Sequence, residues 1–221
     1  MKLNLRANVV DRTHIVNNKI LVSFIITLLL FLGLTKEVVE GRLDAWDQTF
    51  MEWVRHFHQP GLFEFARVSY FLGEAEVVVF FVLALLGFFA WKRYWKEAQV
   101  LAISALGILI LIDQILKPLF GRIRPAPGLI DVHGKSYPSG HVSGNFMLYL
   151  YISYIVAFRF PKLAMYLYGI STFLALLIGW SSLYLHVHWA TDIIAGFAVG
   201  YLAFTLSIIL LKVMDKKYQN F

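Results

Sequence analysis

The chain has 221 residues, 59% of them hydrophobic and 15% charged, with a mean hydropathy of +0.66 and a formal net charge of +6. A soluble domain carries about 25% charged residues, so this composition indicates a membrane protein and replaces any domain count taken from length. There is no cysteine, which excludes a disulfide framework, a thiolate nucleophile and a thiolate metal site; the basic excess, with no stripe of cations interleaved with aromatics, reads as membrane-side anchoring rather than nucleic-acid binding.

A transmembrane helix needs roughly 20 mainly apolar residues. Six runs qualify: Ile20–Thr35, Glu76–Trp91, Ala98–Leu116, Val142–Phe158, Leu163–Leu185 and Thr191–Val213. The expected fold is all-α, a polytopic membrane protein of six transmembrane helices forming a single domain over residues 1–221, with no internal repeat or low-complexity linker. The first run follows Asn17, Asn18 and Lys19 and has no small-residue cleavage site after it, so it reads as a retained anchor rather than a leader. Lys2, Arg6, Arg12, Lys19, Lys92, Arg93, Lys96, Arg159, Lys162, Lys212, Lys216 and Lys217 fall on one side of the spans. Lys36, Arg42, Arg55, Arg67, Lys117, Arg122, Arg124 and Lys135 fall on the other. The bias predicts that both termini are cytoplasmic in an inner or plasma membrane and that the second side faces the periplasm or medium.

The first outer connection is long. In "LDAWDQTFMEWVRHFHQP", Leu43, Trp46, Phe50, Trp53 and Phe57 recur at helical spacing, while Asp44, Asp47, Glu52 and Arg55 take other faces. This predicts an amphipathic helix, lying either at the membrane surface with its tryptophans at headgroup depth or as a lid packed over the bundle.

Three polar clusters follow on the outer side. The first is "LIDQILKPLFGRIRPAPG". Lys117, Arg122 and Arg124 repel one another unless an anion sits among them, and Asp113 stands one helical turn before Lys117. Snorkelling at a span end is the plain alternative. The second is "GKSYPSGHVSGNF". Ser139 and Gly140 open the fourth span, where free backbone N–H groups and the helix dipole favour an anion. His141 stands beside that position, able to hold or give a proton; the plain alternative is an N-cap serine with a bystander histidine. The third is "HVHWATD". Asp192 is close enough to accept one imidazole N–H of His188, which fixes the tautomer and leaves the other nitrogen free as nucleophile or base. His186 is expected to face elsewhere, and interfacial hydrogen bonding is the plain alternative for the pair. Cationic donors, a backbone nest and two histidines together are the parts of a phosphoryl-transfer site. Without an acidic array or a His-Glu-x-x-His motif, no metal or other cofactor is expected.

These residues resemble the type 2 phosphatidic acid phosphatase family of integral membrane lipid phosphatases, whose motifs are Lys-x6-Arg-Pro, Pro-Ser-Gly-His and Ser-Arg-x5-His-x3-Asp. "KPLFGRIRP" from Lys117, "PSGH" from Pro138 and "SSLYLHVHWATD" from Ser181 match in order. The resemblance implies that His188 attacks phosphorus, Asp192 orients it and His141 protonates the leaving oxygen. It also implies that Lys117, Arg124, Ser139 and the Gly140 backbone hold the phosphate oxygens. One position departs: Ser182 stands where the family has a phosphate-binding arginine. Three explanations stay open: Arg122 reaches in as the substitute cation, the serine is engineered to trap a substrate, or the chain is weakened or binds lipid phosphates without hydrolysing them. The partners implied are the bilayer and a lipid phosphate, either phosphatidylglycerophosphate, undecaprenyl pyrophosphate, phosphatidic acid or diacylglycerol pyrophosphate. The short outer loop leans toward the first two. A transporter or proton channel, suggested by Asp113 and the membrane histidines, and a vanadate haloperoxidase fit the motif order and the spans poorly. The oligomeric state is left open.

Overall fold

The computed structural model describes residues 18–219, the side chains of 215–219 excepted. The positive charges Lys2, Arg6 and Arg12 used for orientation lie outside the described residues, and so do the side chains of Lys216 and Lys217. Among the described residues every regular element is helical, as expected.

Helix α1 (Asn18–Val39) is followed by α2 (Asp44–Arg55), α3 (Pro60–Phe71) and α4 (Ala75–Trp91). Next come α5 (Trp95–Ile110), a π-helical turn (Leu111–Leu116) and the short α6 (Lys117–Phe120), together forming one apolar span. An irregular segment then leads to α7 (Gly140–Arg159), α8 (Ala164–Tyr184) and α9 (Ala190–Gln219). Among the described residues five helical runs, the composite one included, are long and apolar enough to cross a membrane. A sixth span exists if α3 and α4, bent by 45° at their junction, count as one. Helix α4 alone has 17 residues, because Gly73 and Glu74 break the run where the sequence suggested a loop.

Helix α7 is the centre of the bundle, packed between α8 and α9. Its buried positions mix large apolar side chains (Met147, Leu148, Tyr151) with small polar ones (Ser143, Ser153). In a bilayer, lipid tails are as apolar as leucine, so close packing and interhelical hydrogen bonds hold helices together. Ser153 and Ser171 join α7 to α8 at 2.7 Å, and Ser207 donates to Ser104 across α9 and α5 at 2.7 Å. The absence of a side chain at Gly200 brings α9 onto α7: a Cβ there would lie 2.8 Å from the Ser143 carbonyl oxygen. The outer faces carry exposed leucine and phenylalanine, such as Leu30, Phe80 and Leu83, as lipid contact requires.

Helix α2 packs one face on the bundle and leaves an aromatic face exposed. Asp47, Met51 and Val54 are buried against the bundle, and α2 packs on α8 and α9. Trp46, Trp53 and Phe57 are exposed on the other face, their rings laddered through Phe50. Leu43 leaves this stripe and packs into the core beside Phe31 and Val38.

Candidate active site

Three helix ends and one connection converge at one end of the bundle. The π turn Leu111–Leu116 inserts an extra residue per turn just before Lys117, a device that recurs at functional sites. Lys117 thereby points toward the start of α7: a Cβ on Gly140 would lie 3.6 Å from its Nζ. Asp113 steadies it, with Oδ1 accepting from Nζ at 2.6 Å. Gly121, at φ +60, ends α6 in the left-handed conformation that glycine tolerates best and turns the chain into the Arg122–Arg124 segment.

Helix α7 begins at Gly140, with Ser139 as its cap: the hydroxyl oxygen accepts the Val142 N–H at 3.4 Å. The Ser139 backbone N–H donates to the Asp192 carbonyl at 3.1 Å, which ties the α7 start to α9. His141 lies with its ring stacked on Tyr70 at 4.2 Å, and its Nε2 is buried without a hydrogen-bond partner. Such an atom is expensive in an empty protein interior, and it is the state expected of a group that waits for a ligand.

The turn from α8 to α9 presents His188. Ser182 carbonyl oxygen accepts the N–H groups of Val187 at 2.9 Å and His188 at 3.4 Å. His188 is 1% exposed and Asp192 is fully buried. His188 Nδ1 lies 3.3 Å from Asp192 Oδ2, which also accepts the Trp189 N–H at 2.9 Å. The carboxylate accepts, so Nδ1 carries the proton and Nε2 has the free lone pair. Arg124 Nη1 stands 3.3 Å from that Nε2. Burial pushes the His188 pKa below the ordinary histidine value; the Asp192 contact opposes this, while Arg124 and Lys117 reinforce it. His188 is therefore neutral at neutral pH, as a nucleophile or base must be.

Arg124 is anchored entirely by neutral acceptors, the carbonyls of Val187 (2.8 Å), Gly134 (3.2 Å) and His133 (3.4 Å). Among the described residues no carboxylate pairs with it. Burial lowers its pKa from the ordinary value, and a half-buried guanidinium without a counter-ion beside Lys117 and a histidine lone pair makes a seat for an anion.

Arg122 does something else. The expectation that it substitutes for the missing motif arginine at the anion is not met. Its Nη1 donates to Asp192 Oδ1 at 2.8 Å and to Thr191 Oγ1 at 2.6 Å, and its Nη2 donates to Asp47 Oδ2 at 2.6 Å. Burial disfavours its charge, but Asp192 and Asp47 outweigh that and raise its pKa. Two buried carboxylates claim it because α2 brings Asp47 against the start of α9. Ser182 is also turned away: it is fully buried, and its hydroxyl donates to the Ile178 carbonyl of its own helix at 2.9 Å. Lys117, Arg124, Ser139, Gly140, His141, His188 and Asp192 are brought together; Arg122 and Ser182 lie behind or beside them. His186 does face elsewhere, with its Nδ1 on the Pro127 carbonyl at 3.2 Å and its ring against His58. Sequence reasoning did not single out Asp47, Tyr70 or Thr191 for the site. Tyr70 gave no signal. Asp47 gave a weak one, an acid on the face opposite the aromatic stripe, indistinguishable from solvated Asp44.

The family model described as PAP2 superfamily matches residues 98–215. The chain is 29% identical over 199 residues to phosphatidylglycerophosphatase B of Bacillus subtilis, covering 87% of this chain and 95% of the relative. It is 33% identical over 146 residues to lipid A 4'-phosphatase of Porphyromonas gingivalis, covering 59% of each. The crystal structure of a transmembrane PAP2 type phosphatidylglycerolphosphate phosphatase from Bacillus subtilis superposes with a TM-score of 0.76 at 27% identity, over 90% of this chain and 98% of that one. LpxE of Aquifex aeolicus shares the fold, with a TM-score of 0.60 at 23% identity over 72% of this chain and 93% of that one.

Proposed function

The chain belongs to the PAP2 superfamily of membrane lipid phosphatases, and on that premise we propose that it removes the terminal phosphate of a membrane lipid phosphate through a phosphohistidine on His188. The observation that carries the reading is the contact of Arg124 Nη1 with His188 Nε2 at 3.3 Å, opposite an Nδ1 directed at Asp192. It sets a cation and a nucleophilic lone pair on one spot.

In the first half-reaction the Nε2 lone pair of His188 forms a bond to phosphorus as the bond to the lipid oxygen breaks. His141 gives its proton to that oxygen, and the lipid alcohol leaves. Lys117, Arg124, the Ser139 hydroxyl and the Gly140 N–H hold the phosphoryl oxygens where charge develops. Asp192 balances the positive charge gained by the phosphorylated imidazole. In the second half-reaction water attacks phosphorus, His141 takes its proton, the phosphorus–nitrogen bond breaks and inorganic phosphate departs. Protein cations do the charge work, so no metal enters the step.

The active site faces the outer side of the inner or plasma membrane, with cytoplasmic termini; the charge bias between the connections supports this. Phosphatidylglycerophosphate is the first substrate to try, because the relative named for that activity is matched over nearly its whole length. A second reading, a weakened or merely phosphate-holding member, is favoured by Ser182, whose hydroxyl is spent on Ile178.

The test is phosphate release by detergent-purified protein, with EDTA throughout, from phosphatidylglycerophosphate and undecaprenyl pyrophosphate side by side. Turnover in EDTA that vanishes in His188→Ala is the expected result. A requirement for added magnesium would overturn the metal-independent step, and binding without release would favour the second reading.

A further inference from the structure

Asp47 lies outside the motifs, on a helix that ends far from His188 in sequence, yet it is 1% exposed and holds no water-facing role. Its Oδ1 accepts the Thr191 N–H at 3.1 Å. Its Oδ2 accepts the Thr191 hydroxyl and the Arg122 guanidinium, at 2.5 Å and 2.6 Å. Arg122 then reaches Asp192 Oδ1 at 2.8 Å, and Asp192 Oδ2 faces His188 Nδ1 at 3.3 Å. The chain Asp47–Arg122–Asp192–His188 is continuous, and every member is buried or nearly so.

We propose that Asp47 is a positioning residue for phosphoryl transfer: it shares the Arg122 cation with Asp192 and so keeps Asp192 a strong enough acceptor to orient His188. The inference rests on the hydrolase reading above. One guanidinium between two carboxylates leaves a net negative charge behind the imidazole, which favours the positive charge His188 acquires when phosphorylated. With Asp47 neutral, Arg122 is left with Asp192 and the exposed Asp44, whose Oδ1 accepts from Nη2 at 3.4 Å; the buried Asp192 takes the larger share of the charge and supports His188 less. Asp47 also fixes the first turn of α9 through Thr191, so the angle at which Asp192 leaves the helix depends on the same side chain. Its aromatic neighbours on α2 face outward, so the helix carrying Asp47 is the one lying along the exposed rim of the bundle.

The charged and titratable groups facing His188 are Asp192 from α9, Arg124 and Lys117 from the preceding connection and α6, and His141 from α7. Asp47 acts on it through Arg122 and not by contact, which makes the expected changes specific.

The experiment compares full-length wild type, Asp47→Asn and Met51→Ala in detergent. Met51 is buried on the same face of α2, one turn after Asp47, and carries no charge, so its truncation loosens α2 without altering charge. Phosphate release gives kcat and KM against pH, and 15N-histidine NMR follows the His188 titration, assigned by its loss in His188→Gln. In Asp47→Asn we expect kcat to fall at least tenfold, KM to stay within about threefold, and the His188 titration and acid limb to move to lower pH. Met51→Ala should lower thermal stability and move neither. An unmoved His188 titration, or the same kcat and pH profile as Met51→Ala, would overturn the positioning role. A wild type that releases no phosphate, while Asp47→Asn still shifts His188, would overturn the hydrolase reading and leave the His188 linkage standing.

Discussion

Arg122 Nη1 lies 2.8 Å from Asp192 Oδ1, on the side of the carboxylate away from His188. The first cation of the Arg122–Arg124 pair is thus a structural counter-ion for the candidate site, while among the described residues Arg124 pairs with no carboxylate. Two arginines separated by one isoleucine would share a face in a regular strand; this segment is irregular, and it turns Arg122 to Asp47 and Asp192 and Arg124 to the carbonyls of Val187, Gly134 and His133.

Arg122→Gln should therefore behave as a stability mutant first. It leaves Asp47 and Asp192 buried without their cation, and breaking a buried pair by removing one partner costs about 3–5 kcal/mol. Thermal unfolding in detergent should show a large loss, and Arg122→Lys should recover only part of it, because one ammonium cannot reproduce the planar fork that spans both acids and Thr191. Arg124→Gln should do the reverse, with little change in unfolding and a large loss of turnover. Equal unfolding curves for the two glutamine variants would contradict this division.

Most of the site was legible in the sequence. Lys117, Arg124, Ser139, Gly140, His141, His188 and Asp192 fall near span ends, and the even count of spans between the clusters already put them on one side. Arg122 was misassigned because spacing alone gives the direction of neither arginine in an irregular segment. What redirected it, Asp47, is 75 positions away from it, and a long-range ion pair leaves no periodic trace. That the run Glu76–Trp91 is apolar was readable, but not that α4 is shorter than the other spans and reaches span length only together with α3, across a 45° bend. Helix α2 posed a choice between membrane surface and lid because periodicity shows two faces but not what each one meets.

The pH dependence follows from His188. Its buried state is neutral and its pKa lies below the ordinary value of about 6.5. In the proposed mechanism His188 is the nucleophile and must be unprotonated, so the acid limb of kcat against pH should fall below the ordinary histidine range. Stability changes with the same sign: the unfolded chain binds the proton more readily, so this contribution is full above the unfolded pKa and is lost as pH falls toward the folded one. Asp192→Asn removes a contact that raises the His188 pKa. Its acid limb should move lower still, while kcat drops roughly 10²–10⁴-fold through loss of tautomer and orientation. An acid limb at or above the ordinary range in wild type would mean that His188 is more hydrated in solution than its burial implies.

Ser182→Arg tests the departure from the family motif. A charge-assisted hydrogen bond contributes about 1.5–3 kcal/mol, which corresponds to roughly ten- to more than hundredfold in rate when expressed in the transition state. Replacing the buried hydroxyl that donates to Ile178 should raise kcat within that window while leaving EDTA insensitivity intact. No gain in kcat, with normal unfolding, would mean that Lys117 and Arg124 already saturate the phosphoryl oxygens.

The close approach of α7 and α9 yields the last expectation. A Cβ at Gly200 would sit 2.8 Å from the Ser143 carbonyl oxygen, and one at Gly196 would sit 3.0 Å from the Ser139 carbonyl. Both acceptors are α7 backbone and cannot step aside, so Gly200→Val must push the helices apart. Overpacking of this kind costs about 1–3 kcal/mol. The displacement would also stretch the bond between the Ser139 N–H and the Asp192 carbonyl, now 3.1 Å. That bond registers the anion seat against the nucleophile, so kcat should fall by more than the stability loss explains. Gly144, on α7, is the contrast, with nothing within 4 Å of its missing Cβ. Gly144→Ala should be neutral or stabilising by about 0.5–1 kcal/mol through helix propensity and should leave kcat alone. Unfolding midpoints and turnover measured on both variants in one detergent decide the matter: equal behaviour would show that the α7–α9 contact does not set the site geometry.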